Sequence, residues 1–89
     1  MLSKLIAIHN PIGLHARPAT MLAAEASKYE SSVRIHQGEY SADVKNSVKV
    51  LAMAINAGDT IDLVVSGSDE ETAFERVNEV FDRINTNKC

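Results

Sequence analysis

Residues 10–20 read NPIGLHARPAT, a proline and a glycine ahead of a histidine, then Ala-Arg-Pro leading into good helix formers. A loop ends at Leu14, and Pro18 suits the first turn of a helix, where its missing N–H breaks no helical bond. The chain therefore passes from loop to helix at His15. Upstream, KLIAI (4–8) alternates, with Ile6 and Ile8 on one side and Leu5 and Ala7 on the other, as a first strand does. Downstream, ARPATMLAAEASKY (16–29) places Ala19, Leu22, Ala23 and Ala26 at helical spacing.

The rest of the chain continues the same alternation of elements. VRI (33–35) and YSADV (40–44) flank the glycine-containing link HQG as an antiparallel hairpin. NSVKVLAMAINAG (46–58) is a second helix, with Asn46 as its cap, Val50, Leu51, Met53 and Ala54 buried, and Gly58 ending the turn. TIDLVVSG (60–67) is a strand with Ile61, Leu63 and Val65 inward. SDEETAFERVNEVFDRI (68–84) opens with acids that suit a helix start and carries Ala73, Val77, Val80, Phe81 and Ile84 on one stripe. The order is β-α-β-β-α-β-α in an α+β class, and helices with one apolar face each should cover one side of a single sheet.

Composition narrows the function. Eighty-nine residues make one small domain, 1–89, with a single modest core, and no linker or repeat divides it. A net charge of −3 with two Tyr, two Phe and no Trp argues against a nucleic-acid surface. Cys89, the single cysteine, can close no internal disulfide, so a reducing, cytoplasmic setting fits, and no run is long or apolar enough for a signal peptide or membrane span. The start methionine favours a free-standing protein over a domain cut from a larger one.

His15 is where chemistry concentrates. Helix N-termini carry unpaired N–H groups and a positive dipole end, which attract anions and disfavour the imidazolium, leaving a ring nitrogen lone pair for attack. Arg17 can donate forked, charge-assisted hydrogen bonds to a phosphoryl oxygen. A helix end contributes ~0.3–2 kcal/mol to a bound anion and a hydrogen bond to a charged group ~1.5–3. Such support steadies a phosphoryl group without trapping it. With no P-loop and no acidic magnesium site, the phosphoryl must come from a partner. Residue types alone leave a capping or merely exposed His15 as open as a functional one. His9 and His36 have no nearby acid or cysteine pattern for catalysis or metal and read as surface histidines.

GLHARPAT (13–20) resembles the phosphohistidine motif of the HPr family, phosphocarriers of the phosphoenolpyruvate-dependent sugar phosphotransferase system. KYESSV, VLAMAINAGDTI and SGSDEETA resemble further family segments in register, so the resemblance spans essentially the whole chain. It implies an open-faced β-sandwich, a four-stranded antiparallel sheet with three helices on one face. It also implies that His15 takes a phosphoryl group on Nδ1 from enzyme I and passes it to a sugar-specific IIA domain, with Arg17 and the amides of Ala16 and Arg17 steadying the charge. No cofactor or metal is implied, and the protein is a carrier rather than an enzyme. Docking would use Thr20, Ser47, Val48, Lys49 and Leu51. Lys49 also fits a solvated charge, and Val48 and Leu51 fit ordinary core, the core reading being the stronger for Leu51. Where serine-kinase-controlled relatives carry a capping serine, this chain has Asn46, which takes no phosphate. Ser47 is the counterpart only through a gapped alignment, so HPr kinase is expected to act weakly or not at all. NSV (46–48) resembles the nitrogen-branch carrier NPr, an alternative function, and a ferredoxin-like binding module is another, though the metal-carrying kind lacks its C-x-x-C. A monomer is expected of a protein that visits several partners.

Overall fold

A computed structural model describes residues 1–86, so the reading of Cys89 falls outside the described residues. The elements are β1 Leu2–Ala7, α1 Ala16–Ala26, β2 Ser32–Gln37, β3 Tyr40–Asp43, α2 Ser47–Ala52, β4 Thr60–Ser66 and α3 Glu70–Thr86, in the order the sequence predicts. The sheet order is β1-β4-β2-β3, with every neighbouring pair antiparallel. β4, the last strand in chain order, is therefore internal, and β1 and β3 are the edges.

Strand alternation sorts the two faces. Ile6, Ile61, Leu63, Val65, Val33, Ile35 and Ala42 point toward the helices and are buried. On the other face, register lines up Leu5, Asp62, His36 and Ser41 as one row across all four strands. That mostly polar row explains why this face needs no second layer. The helices bring Ala19, Leu22 and Ala26 from α1, Val50 from α2, and Ala73, Val77, Val80, Phe81 and Ile84 from α3 into the same core. The α3 stripe is buried at each predicted position, and Ala23 of α1 is only half-buried.

The second helix departs from expectation. It spans six residues, not the run to Gly58, and Val50 is its one buried residue. Leu51 is 40% exposed and Met53 only partly buried. Ala54, expected in the core, is exposed and holds a left-handed φ of 53°. The cause is local: Met53 N–H bonds Val50 O at 3.1 Å and Ala54 N–H bonds Leu51 O at 3.0 Å, tightening the last turn. The chain then swings away so that Ile55, 2% exposed, enters the core. Six residues lay only one side-chain row on the sheet, which is why periodicity over 46–58 overstates the buried set.

Candidate functional site

Between β1 and α1 lies a loop, residues 8–14, with no repetitive structure of its own, and it is fastened on two sides. Toward the α2–β4 connection, Ile8 N–H donates to Asp59 O and Gly58 N–H to Ile8 O, both at 2.8 Å, while Leu14 N–H donates to Ile55 O at 3.0 Å. Gly13 has a φ of 76°, and a Cβ there would lie 2.8 Å from Asn56 Cα and overlap Ile55 O. Only glycine meets both conditions. Asp59 is itself held by Asn56 N–H at 2.9 Å. That bond, and one from Gln37, keep its carboxyl below the usual carboxylate range. Toward α3, Asn85 Nδ2 donates to Ala7 O at 3.0 Å, and its Oδ1 accepts from His9 N–H at 2.9 Å.

The loop delivers His15 as the N-cap residue of α1, with extended φ −87° and ψ −168°. Its carbonyl accepts from Ala19 N–H at 3.1 Å, opening the helix, but its side chain makes no capping hydrogen bond. The half-buried imidazole thus sits at a helix start whose first amides, those of Ala16 and Arg17, have no intrahelical acceptor. Pro18 is the third helical residue, is buried, and has no N–H to satisfy. No acid occupies this first turn, and Arg17 is exposed with no ion pair among the described residues. The arrangement gives an anion two backbone donors, a positive helix end and one unengaged guanidinium beside a histidine.

The position of α2 decides which predicted docking residues join His15. Lys45 Nζ donates to Tyr29 O at 2.8 Å, just past the end of α1, whereas Leu14, just before its start, bonds Ile55, just past the end of α2. The two helices pack together and run antiparallel. Leu51 and the α2–β4 connection therefore lie toward His15. Asn46 and Ser47 lie at the opposite end of a helix about 9 Å long. Val48 at 70% and Leu51 at 40% are exposed rather than core, which overturns the core reading for both. Thr20 and Lys49 are exposed and Ser47 half-buried. Asn46 caps α2 as expected, its side chain accepting from Val48 N–H at 3.1 Å and Lys49 N–H at 3.3 Å. His9 is exposed at the end of β1 and His36 half-buried on the outer sheet face.

Sequence reasoning missed four residues. Ile12 is 60% exposed two places before Leu14, and an isolated isoleucine inside a Pro-Gly loop is the signal that marks it. Gly13 has no local signal beyond its place in the motif, and its close approach to Ile55 and Asn56 is visible only in the fold. Asn10 and Asn85 fasten the loop, but long-range side-chain bonds leave no periodicity to find. The charge pattern also becomes visible only with the fold: all twelve carboxylates lie outside residues 10–24 and 44–58, which carry Arg17, Lys45 and Lys49. Together these two segments contribute the α1 start and all of α2. No cluster of three or more metal-binding side chains occurs among the described residues, and no described helix is long and apolar enough to cross a membrane.

The family model described as the PTS HPr component phosphorylation site matches residues 2–83. The chain belongs to the HPr phosphocarrier family. It is 39% identical over 72 residues to a phosphocarrier protein HPr of Mycoplasma capricolum, covering 81% of each chain. A solved Mycoplasma histidine-containing phosphocarrier protein superposes with a TM-score of 0.89 at 34% identity, over 93% of this chain and 96% of that one. A multiphosphoryl transfer protein of Xanthomonas campestris is 36% identical over 74 residues, 83% of this chain but 9% of the larger protein. The family's members are phosphocarriers rather than catalysts, and its open-faced sandwich is the fold described above.

Proposed function

We propose that His15 accepts a phosphoryl group from the phosphohistidine of enzyme I and passes it to a histidine on a sugar-specific IIA domain. Nδ1 of His15 attacks phosphorus as the donor nitrogen leaves; one N–P bond forms and one breaks, and the second transfer reverses the roles. The observation that carries this reading is a histidine set as N-cap residue of α1 without capping it, next to Arg17. The backbone donors and the guanidinium then serve the incoming phosphoryl oxygens. Partners dock on the surface made by the loop before α1, the α1 start and α2, segments that carry no acid, where Ile12, Val48 and Leu51 supply apolar area and Arg17 and Lys49 positive charge. A complementary partner is acidic with an apolar centre. The protein works in the cytoplasm as a monomer, without cofactor or metal of its own.

The test is labelling with enzyme I, phosphoenolpyruvate and magnesium, read by mass spectrometry as an acid-labile phosphoryl group. His15→Ala abolishes labelling, and His9→Ala and His36→Ala do not; persistent labelling of His15→Ala refutes the proposal. Arg17→Ala slows transfer about 10- to 100-fold, the loss of one charge-assisted hydrogen bond, without lowering stability. A nitrogen-branch role is the second reading, favoured by NSV at 46–48. Faster labelling by a nitrogen-branch enzyme I than by the sugar-branch enzyme would select it.

Serine-kinase control is absent or weak in this reading, because the α2 cap is Asn46 and its side chain already serves the helix. HPr kinase and ATP therefore leave the protein unmodified while a serine-bearing HPr is phosphorylated. Efficient acid-stable phosphorylation of Ser47 would overturn this.

A further inference from the structure

Asn10 and Ser31 are the buried polar side chains among the described residues, and Asn10 is fully buried. Three of its bonds serve two tasks. Oδ1 accepts from Ile12 N–H at 2.9 Å, and the main-chain carbonyl accepts from Gly13 N–H at 2.9 Å. Those two bonds fold the chain into the turn that leads to His15. Nδ2 donates to Ile84 O at 3.2 Å, in the last turn of α3. One side chain thus shapes the turn and fixes it to another element. Asn85 adds a second tie from the same end of α3 through its bonds to Ala7 and His9.

From these contacts we infer that Asn10 is a positioning residue for His15, holding the histidine in register with the α1 amides through α3. This rests on the phosphocarrier reading, which it deepens by naming what fixes the reacting ring. The chemistry at Asn10 is specific. An asparagine supplies an acceptor and a donor on one planar group, and both are used in opposite directions inside a dry environment where an unmade bond is costly. Serine at this position keeps an acceptor within reach of Ile12 N–H but is too short to reach Ile84 O. Alanine keeps neither. Arg17, Val48, Lys49 and Leu51 stand on α1 and α2, outside the turn that Asn10 ties, so losing the tie moves the ring while the docking surface other than Ile12 stays in place. Displacement of a reacting group by about 1 Å costs on the order of 100-fold in rate.

The experiment measures single-turnover phosphoryl acceptance from phosphorylated enzyme I, together with ring ¹H–¹⁵N spectra of the three histidines, for wild type, Asn10→Ser, Asn10→Ala and Asn85→Ala. Asn10→Ala is expected to lower the saturating rate about 10- to 100-fold with KM changed less than twofold. Asn10→Ser should recover part of that loss, and Asn85→Ala should lose less than Asn10→Ala. Ring signals of His15 move or broaden, while those of His9 and His36 stay in place. If Asn10→Ala does not fold, the Asn10→Ser and Asn85→Ala results decide. Rates within twofold of wild type in both, with unmoved His15 signals, overturn the inference, as does a loss that only follows the unfolded fraction. An unlabelled wild type refutes the phosphocarrier reading instead, and the ring spectra then still judge the positioning role.

Discussion

Two helices begin on the same face of this molecule in opposite ways. At α2, Asn46 turns its side chain onto the amides of Val48 and Lys49, and the helix start is closed by its own cap. At α1, the corresponding residue is His15, whose side chain makes no capping bond, so the same backbone donors are left for something else. A helix of six residues with one buried side chain needs its cap. One of eleven residues burying Pro18, Ala19, Leu22 and Ala26 can do without. Packing at α1 thus releases its N-terminus for use, whereas at α2 the cap substitutes for packing that a short helix lacks.

That contrast is open to direct attack. The largest effect expected is from His15→Asn, which installs at α1 the cap that α2 has. Phosphoryl acceptance is lost completely, while stability in urea rises by about 0.5–1 kcal/mol. A variant no more stable than wild type would show that the α1 start is already satisfied. Next is Asn46→Ala, which opens α2 and costs about 1 kcal/mol by the same measurement while labelling of His15 continues. An unchanged midpoint would mean the α2 cap contributes nothing. Smallest is Ala54→Gly at the other end of α2. Relief of the left-handed strain outweighs the added freedom of the unfolded chain, and the protein gains a few tenths of a kcal/mol. Destabilisation there would remove strain from the account of why α2 stops.

Much of this architecture is legible in the residues themselves. The α3 stripe and the β4 alternation are strong because each element is long enough to repeat its period several times, and His15 with Arg17 is marked by the loop-to-helix change around it. Strand order is not legible, since Ile6 paired with Ile61 leaves no trace in either local segment. The length of α2 was misread because Leu51, Met53 and Ala54 have the right chemistry for a buried face, and only the tight turn at Ala54 and the insertion of Ile55 reveal that they do not form one. Asn10 escaped for the opposite reason: one polar residue before a proline carries no period, and its partner Ile84 is 74 positions away.

The pairing of β1 with β4 also sets a schedule for the protein's birth. Residues 2–7 pair with 60–65, and the loop bearing His15 is held by Ile55, Asp59, Ile84 and Asn85. A ribosome releases the histidine long before any of these anchors, and the contacts that fix it close only when nearly the whole chain has emerged. An unfinished chain carries the motif but not the geometry. Under the proposed function, competence to receive a phosphoryl group is therefore expected of completed molecules, and truncated products are expected to take no part in transfer.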